Sequence, residues 1–340
     1  MYSYRFRFIL AVFAILFSFG VAIPALHDFS EINTDHPAQK MYEDFNKAFV
    51  NHWKAQTGIE VTVKQARSKS GVPIRAVVDG LDVVSLALSY DSEALQKNSQ
   101  FGLPHWTKPL PRNTPFTSTI VFLVRKGNPK RLRDWDDLTR SGVEVITSNP
   151  RNSSNARWNY LAAWGYAFTR SCGSHTAALE FVRKLYANVK VLDVGSRSSV
   201  NTFARRGVGD VLLAWENEAH LLSKEGNGDK FEVVTPSLSI LAEPAVSVIS
   251  DAPNQAYGTR AYIDYLYSTE AQDIAGKHYY RPRDEKVASK YSSQFPQIDL
   301  FTVDELFGGW KEAQNVHFSN GGVFDQMQGA WIDPATGAAG

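Results

Sequence analysis

Apolar residues recur every four positions at Met41, Phe45, Phe49 and Trp53, so the pattern predicts an amphipathic helix over 38–53, stopped by Gly58. Residues 59–66 alternate like a half-buried strand, and a polar loop, RSKSG, follows at 67–71. Residues 74–81 read as a helix and 82–88 as a buried strand. After an irregular stretch at 98–115, STIVFLV predicts a strong strand over 118–124, ended by Gly127-Asn128-Pro129. A short helix at 135–138, a strand at 143–147, a helix at 176–186 and a strand at 189–193 continue the alternation. A third polar loop, GSRSS at 195–199, leads to a helix at 200–206 and a strand at 210–215. Residues 231–250 form two strand-like runs broken at Pro236 and Pro244, and one helix is expected over 260–275. Further helices follow, and from 329 the chain has no period.

One stretch organises the rest. In NPRNSSNARWNYLAAWGYA, 149–167, Pro150 ends the preceding strand and Asn152, Ser153, Ser154 and Asn155 are residues that cap helices. From Ala156 onward Leu161, Trp164 and Phe168 have helical spacing. The first N–H groups of a helix lack partners within it and carry partial positive charge, which suits an oxyanion. Repeated strand–polar loop–helix units imply an α/β sheet, and such sheets take ligands beyond the carboxyl ends of their strands. Polar loops stand at three such places, marked by Ser70, Ser153 and Ser196, with Trp215 ending a fourth strand. Each position taken alone also reads as an ordinary cap or core residue.

A chain of 340 residues is long enough for two lobes. Its net charge of +1 argues against a broad nucleic-acid surface but not against one local anion site. Residues 1–25 stand apart: Arg5 and Arg7 precede an uncharged apolar run, with small residues at Gly20, Ala22 and Ala25. That is the layout of a secretory signal, the rival being an uncleaved membrane anchor. A single cysteine, Cys172, rules out an intrachain disulfide and any cysteine-based metal site. The eight histidines are scattered without metal spacing, and no nucleophile–base–acid set appears, so the expectation is a non-enzyme without cofactor or metal.

The segments STIVFLVRKGNP, DWDDL, ARWNYLAAWGYA, FVRKLYANVKVLD, GDVLLAWENEA, ILAEP, YYRPR, SQFP and FGGW run in order through most of the chain. Together they resemble the periplasmic sulfate/thiosulfate-binding proteins of ATP-binding-cassette importers. The resemblance implies a two-lobed periplasmic-binding-protein fold of type II, each lobe a mixed, mostly parallel sheet flanked by helices, with the ligand cleft between lobes. It divides the chain into a signal or anchor at 1–25, a first lobe of 26–117 plus 243–328, a second lobe of 118–242 and a disordered tail at 329–340. It implies a periplasmic monomer that hands sulfate to a membrane permease by lobe closure, hinged near Thr117–Ser118 and Ala242–Pro244. It carries the ligand role onto Ser70 and Gly71 from one lobe and onto Ser153, Ser154, Asn155, Ser196 and Trp215 from the other.

The chemistry agrees with that set. Sulfate at neutral pH accepts hydrogen bonds and donates none, and indole, backbone N–H and hydroxyl groups all donate. No carboxylate lies among those positions. The family's usual pattern is altered in the loops: Ser154 and Asn155 replace two glycines, Lys69 replaces another, GSRSS replaces a Gly-Ala-Arg loop, and His36 stands where an acid is expected. Two readings therefore remain open: a sulfate carrier, and a diverged paralogue of the same fold that takes another oxyanion or none and acts as a scaffold or sensor.

Overall fold

A computed structural model describes residues 27–34, 39–67, 83–86, 114–224, 230–248 and 256–329. The N-terminal apolar stretch, the loop of Ser70 and Gly71, the helix expected at 74–81 and the tail from 330 lie outside these residues. Helix α1 (Gln39–Thr57) buries Met41, Tyr42, Phe45, Phe49 and Trp53 on one face, as their four-residue spacing requires. It ends at Gly58, whose φ of +72° is open to glycine and whose N–H donates to Lys54 O at 2.9 Å. The smaller sheet sets β1 (His27–Thr34) parallel to both β2 (Val61–Arg67) and β3 (Val83–Leu86). Its edge strand β10 (Ala245–Val248) runs antiparallel to β3.

The single helix expected over 260–275 is two, α6 (Ala256–Leu266) and α7 (Thr269–Lys277). Ser268 breaks them apart: it is extended and its Oγ accepts from Ala271 N at 3.2 Å, a cap that competes with helix continuation. With α1 these helices close a first core, in which Phe49 meets Tyr262 edge-on at 5.0 Å and Phe116 meets Tyr280 at 4.8 Å.

The larger sheet is organised by β4 (Phe116–Arg125). This run is apolar without alternation because both faces are buried. Ile120, Phe122 and Val124 face one cluster, while Val121 and Leu123 face another. β4 runs antiparallel to β7 (Val211–Trp215), β8 (Phe231–Val234), β9 (Leu238–Ala242) and β11 (Arg281–Pro282). Beyond β7 lie β5 (Val145–Ser148) and β6 (Val189–Asp193), all three parallel to one another. Helix α2 (Ser154–Arg170) is buried almost all round from Asn155 to Ala167, because it packs on this sheet, on α3 (His175–Ala187) and on the C-terminal segment.

Among the described residues the chain changes core three times. Phe116 belongs to the first core and Ile120 to the second; Ala242 belongs to the second and Val246 to the first. These two changes fall within 116–120 and 242–246. The expected first-lobe segment 243–328 does not stay with the first core. From β12 (Asp299–Phe301), parallel to β9, onward, Phe301, Phe307, Trp310, Phe318, Phe324 and Met327 join the second core. The physical reason is aromatic surface: Trp310 packs edge-on to Trp158 at 4.5 Å, and Phe324 to Tyr160 at 5.6 Å.

Candidate oxyanion site at the strand ends

Strands β5, β6 and β7 end side by side at Ser148, Asp193 and Trp215, since they are parallel, with one register shift between Val145 and Ile146 bringing Ser148 opposite Asp193. Asn149 N donates to Asp193 O at 2.7 Å, so the turns after β5 and β6 leave the sheet together. Each strand is followed by a helix: α2 from Ser154, α4 (Ser196–Val200) and α5 (Glu216–Lys224). The polar loop expected at 195–199 is therefore largely helix, with Gly195 in an extended conformation as its N-cap (φ −170°, ψ 167°) and no side chain capping it.

At the start of α2, Ser153 is the N-cap, and its Oγ accepts from Ala156 N at 3.4 Å. An accepting hydroxyl retains its proton for donation. Ser153 N is occupied by Asn149 O at 3.0 Å. Ser154 is half-buried and Asn155 is buried. Ser196 is half-buried, and the helix it opens is fastened to β5 by the Ser199 and Ser148 hydroxyls, 2.8 Å apart.

Trp215 is 4% exposed, and its ring stands edge-on to Trp158 at 6.1 Å. Its Nε1 is buried and has no hydrogen-bond partner among the described residues. A buried indole N–H without a partner is costly, and such groups in native proteins need an explanation. Trp215 lines a small pocket with Ser196, Ser148, Ser199, Asn159, Leu213 and Glu218. The geometry thus brings Ser196 and Trp215 to one pocket and sets the capped start of α2 after the neighbouring strand. Ser70 and Gly71 fall outside the described residues.

Comparison with known proteins decides the family. A family model described as bacterial extracellular solute-binding protein matches residues 38–281. The chain belongs to that family. Among its relatives, a sulfate-binding protein of Escherichia coli is 55% identical over 298 residues, covering 86% of this chain and 90% of that one. A thiosulfate-binding protein of Pseudomonas aeruginosa is 43% identical, covering 84% and 88%. The solved structure of the sulfate-binding protein SubI from Mycobacterium tuberculosis superposes with a TM-score of 0.73 at 29% identity, covering 86% of this chain and 98% of that one. The two-lobed binding-protein fold follows from these matches.

In this solute-binding protein, Ser148, Asn159, Ser199 and Glu218 line the pocket without having been singled out from sequence. Asn159 Nδ2 donates to Thr147 Oγ1 at 3.2 Å and to Leu213 O at 3.1 Å, tying α2 to β5 and β7. Asn159 stands one helical turn after Asn155, so helical spacing held its signal; Glu218 lies in the first turn of α5, directly after β7. Ser148 and Ser199 could be found only through their pairing across a gap of fifty residues. Among the described residues no His, Cys, Asp and Glu group could hold a metal ion, and no helix is long and apolar enough to cross a membrane.

Proposed function

We propose that this protein captures sulfate outside the cytoplasm and delivers it to an ATP-binding-cassette permease in the membrane. The observation that carries the reading is the buried, unpartnered Nε1 of Trp215 in a pocket at three strand ends. An N–H there donates and cannot accept, which matches an unprotonated oxyanion. The Ser153 and Ser196 hydroxyls and the N-termini they open would supply further donors, with Ser154 and Asn155 in the first turn of α2 and Ser70 and Gly71 from the first lobe. Bonds from neutral donors to a charged acceptor are stronger than neutral pairs. The names of the relatives, sulfate-binding and thiosulfate-binding proteins, support the same ligand class.

On this reading the two cores are two lobes, 116–120, 242–246 and 280–301 are the crossings, and closure over the anion creates the form the permease takes up. The protein works as a monomer and catalyses no reaction, and residues 1–25 direct export. Calorimetric titration of the chain from Leu26 onward tests it. One-to-one binding of sulfate, with thiosulfate as a competitor and no response to phosphate, is the expected result. Absence of heat with both sulfate and thiosulfate would reject the transport role.

A further inference from the structure

We infer that the buried Glu216–Arg281 pair, with the Asn217–Ser118 hydrogen bond beside it, is a positioning device that couples Trp215 to the crossing between the two cores. This rests on the reading of Trp215 as a ligand donor. Three consecutive residues point three ways. Trp215 lines the pocket. Glu216 is 0% exposed and accepts from Arg281 Nε at 2.6 Å and Nη2 at 2.8 Å. Asn217, also fully buried, accepts at Oδ1 from Ser118 Oγ at 3.1 Å.

Both partners sit at the crossing. Arg281 opens β11 and pairs with Thr117, the residue before Ser118 on β4. It follows Tyr280, which belongs to the first core, whereas Trp215 belongs to the second. Arg281 is itself held by Pro296 O at 3.2 Å and lies over the Phe295 ring at 5.2 Å. The charge pair therefore joins the end of a ligand strand to the segment that leaves the first core.

Stability alone does not account for such a pair. Apolar residues of similar volume often hold a core equally well, because two charges must be stripped of water. Burial pushes the Glu216 carboxyl upward, and the guanidinium works against that push. A bidentate pair instead fixes orientation, which an apolar contact does not. Fixed orientation at Glu216 fixes the peptide next to Trp215, so a shift of β11 against β4 is felt at the indole. By reciprocity, an anion bound to the indole biases the crossing.

The test uses the purified protein with Glu216→Gln and Arg281→Lys. Sulfate affinity is measured by calorimetry, dissociation by stopped flow, and compaction on saturation with sulfate by small-angle scattering. Both variants are expected to lose at least tenfold in affinity through faster dissociation and to compact less at saturation. A lower melting temperature with affinity and compaction unchanged would overturn the coupling. Loss of binding in Trp215→Phe but not in Glu216→Gln would overturn it too, leaving the sulfate reading intact; no binding by the parent protein overturns both. Should the variants not fold, hydrogen exchange on the parent decides: sulfate should slow the amides of 216–218 and 281–283 (Pro282, lacking an amide, aside), and unchanged rates there reject the device.

Discussion

Two residues separate ligand chemistry from packing. Trp215→Phe keeps the bulk that meets Trp158 and removes the indole N–H. A hydrogen bond to a charged group contributes about 1.5–3 kcal/mol, so sulfate affinity should fall roughly 10- to 150-fold while the melting temperature holds or rises. Unchanged affinity in the titration would take Trp215 out of the site. Gly165 is the opposite case, a residue needed by packing alone. A Cβ there would sit 2.2 Å from Phe301 Cζ, because β12 brings the ring directly against α2. Gly165→Ala should cost about 1–3 kcal/mol of unfolding free energy, read from urea midpoints, with sulfate affinity little altered in the folded fraction. In the sequence this glycine was one position of a helical run, since its constraint comes from a residue 136 positions away.

At the scale of elements, the N-terminus of α2 has two roles that one substitution divides. Ser153→Asp retains an N-cap and places a carboxylate where the helix end favours one, so stability should be kept. The same carboxylate occupies an anion's place, and sulfate binding should vanish; sulfate bound as tightly as by the parent would make Ser153 a cap and nothing more. Local signals served well here. Strand β6 runs over 189–193 as expected, and α1 and α2 begin within a few residues of their expected starts. Local signals failed where tertiary contacts or capping intervened. Ser268 divided a helix, GSRSS coiled into α4, and the segment after 299 crossed to the second core to pack Trp310 and Phe324. The strand end at Trp215 and the cap at Ser153 were legible, because strand ends and caps are local, whereas the cap of α4 fell on Gly195 and not on Ser196. Ser148 and Ser199 were not legible, since their hydroxyl pair exists only once β5 and α4 are side by side.

For the whole molecule, pH reports on how the histidines are buried. His317 is 3% exposed, bonded through Nδ1 to Tyr160 OH at 3.1 Å, and edge-on to Trp164 at 4.7 Å. Burial, with a smaller contribution from His175, pushes its pKa down to about 4. His220, stacked on Tyr279, is pushed down to about 4 by burial and by the charges of Lys224 and Arg281. Both rings are thus neutral in the folded protein at a pH where the unfolded chain, with a histidine pKa near 6.5, already binds the proton. The unfolded state then holds more protons, so stability falls as pH drops from about 6.5 towards 4, by up to about 1.4 kcal/mol per pH unit for each ring. Carboxylates act in a lower window. At Asp273, burial pushes upward but hydrogen bonds from Lys290, Lys277 and Tyr291 outweigh it and hold the group at about 2, so its contribution is lost only between pH 3.8 and about 2. Urea unfolding at pH 7, 6 and 5 should therefore show a slope of about 2–3 kcal/mol per unit at its steepest. His317→Phe, though less stable at pH 7 because Tyr160 loses its partner, should have a slope flatter by about 1.4 kcal/mol per unit. An equal slope in the variant would mean that His317 takes up its proton within the folded core.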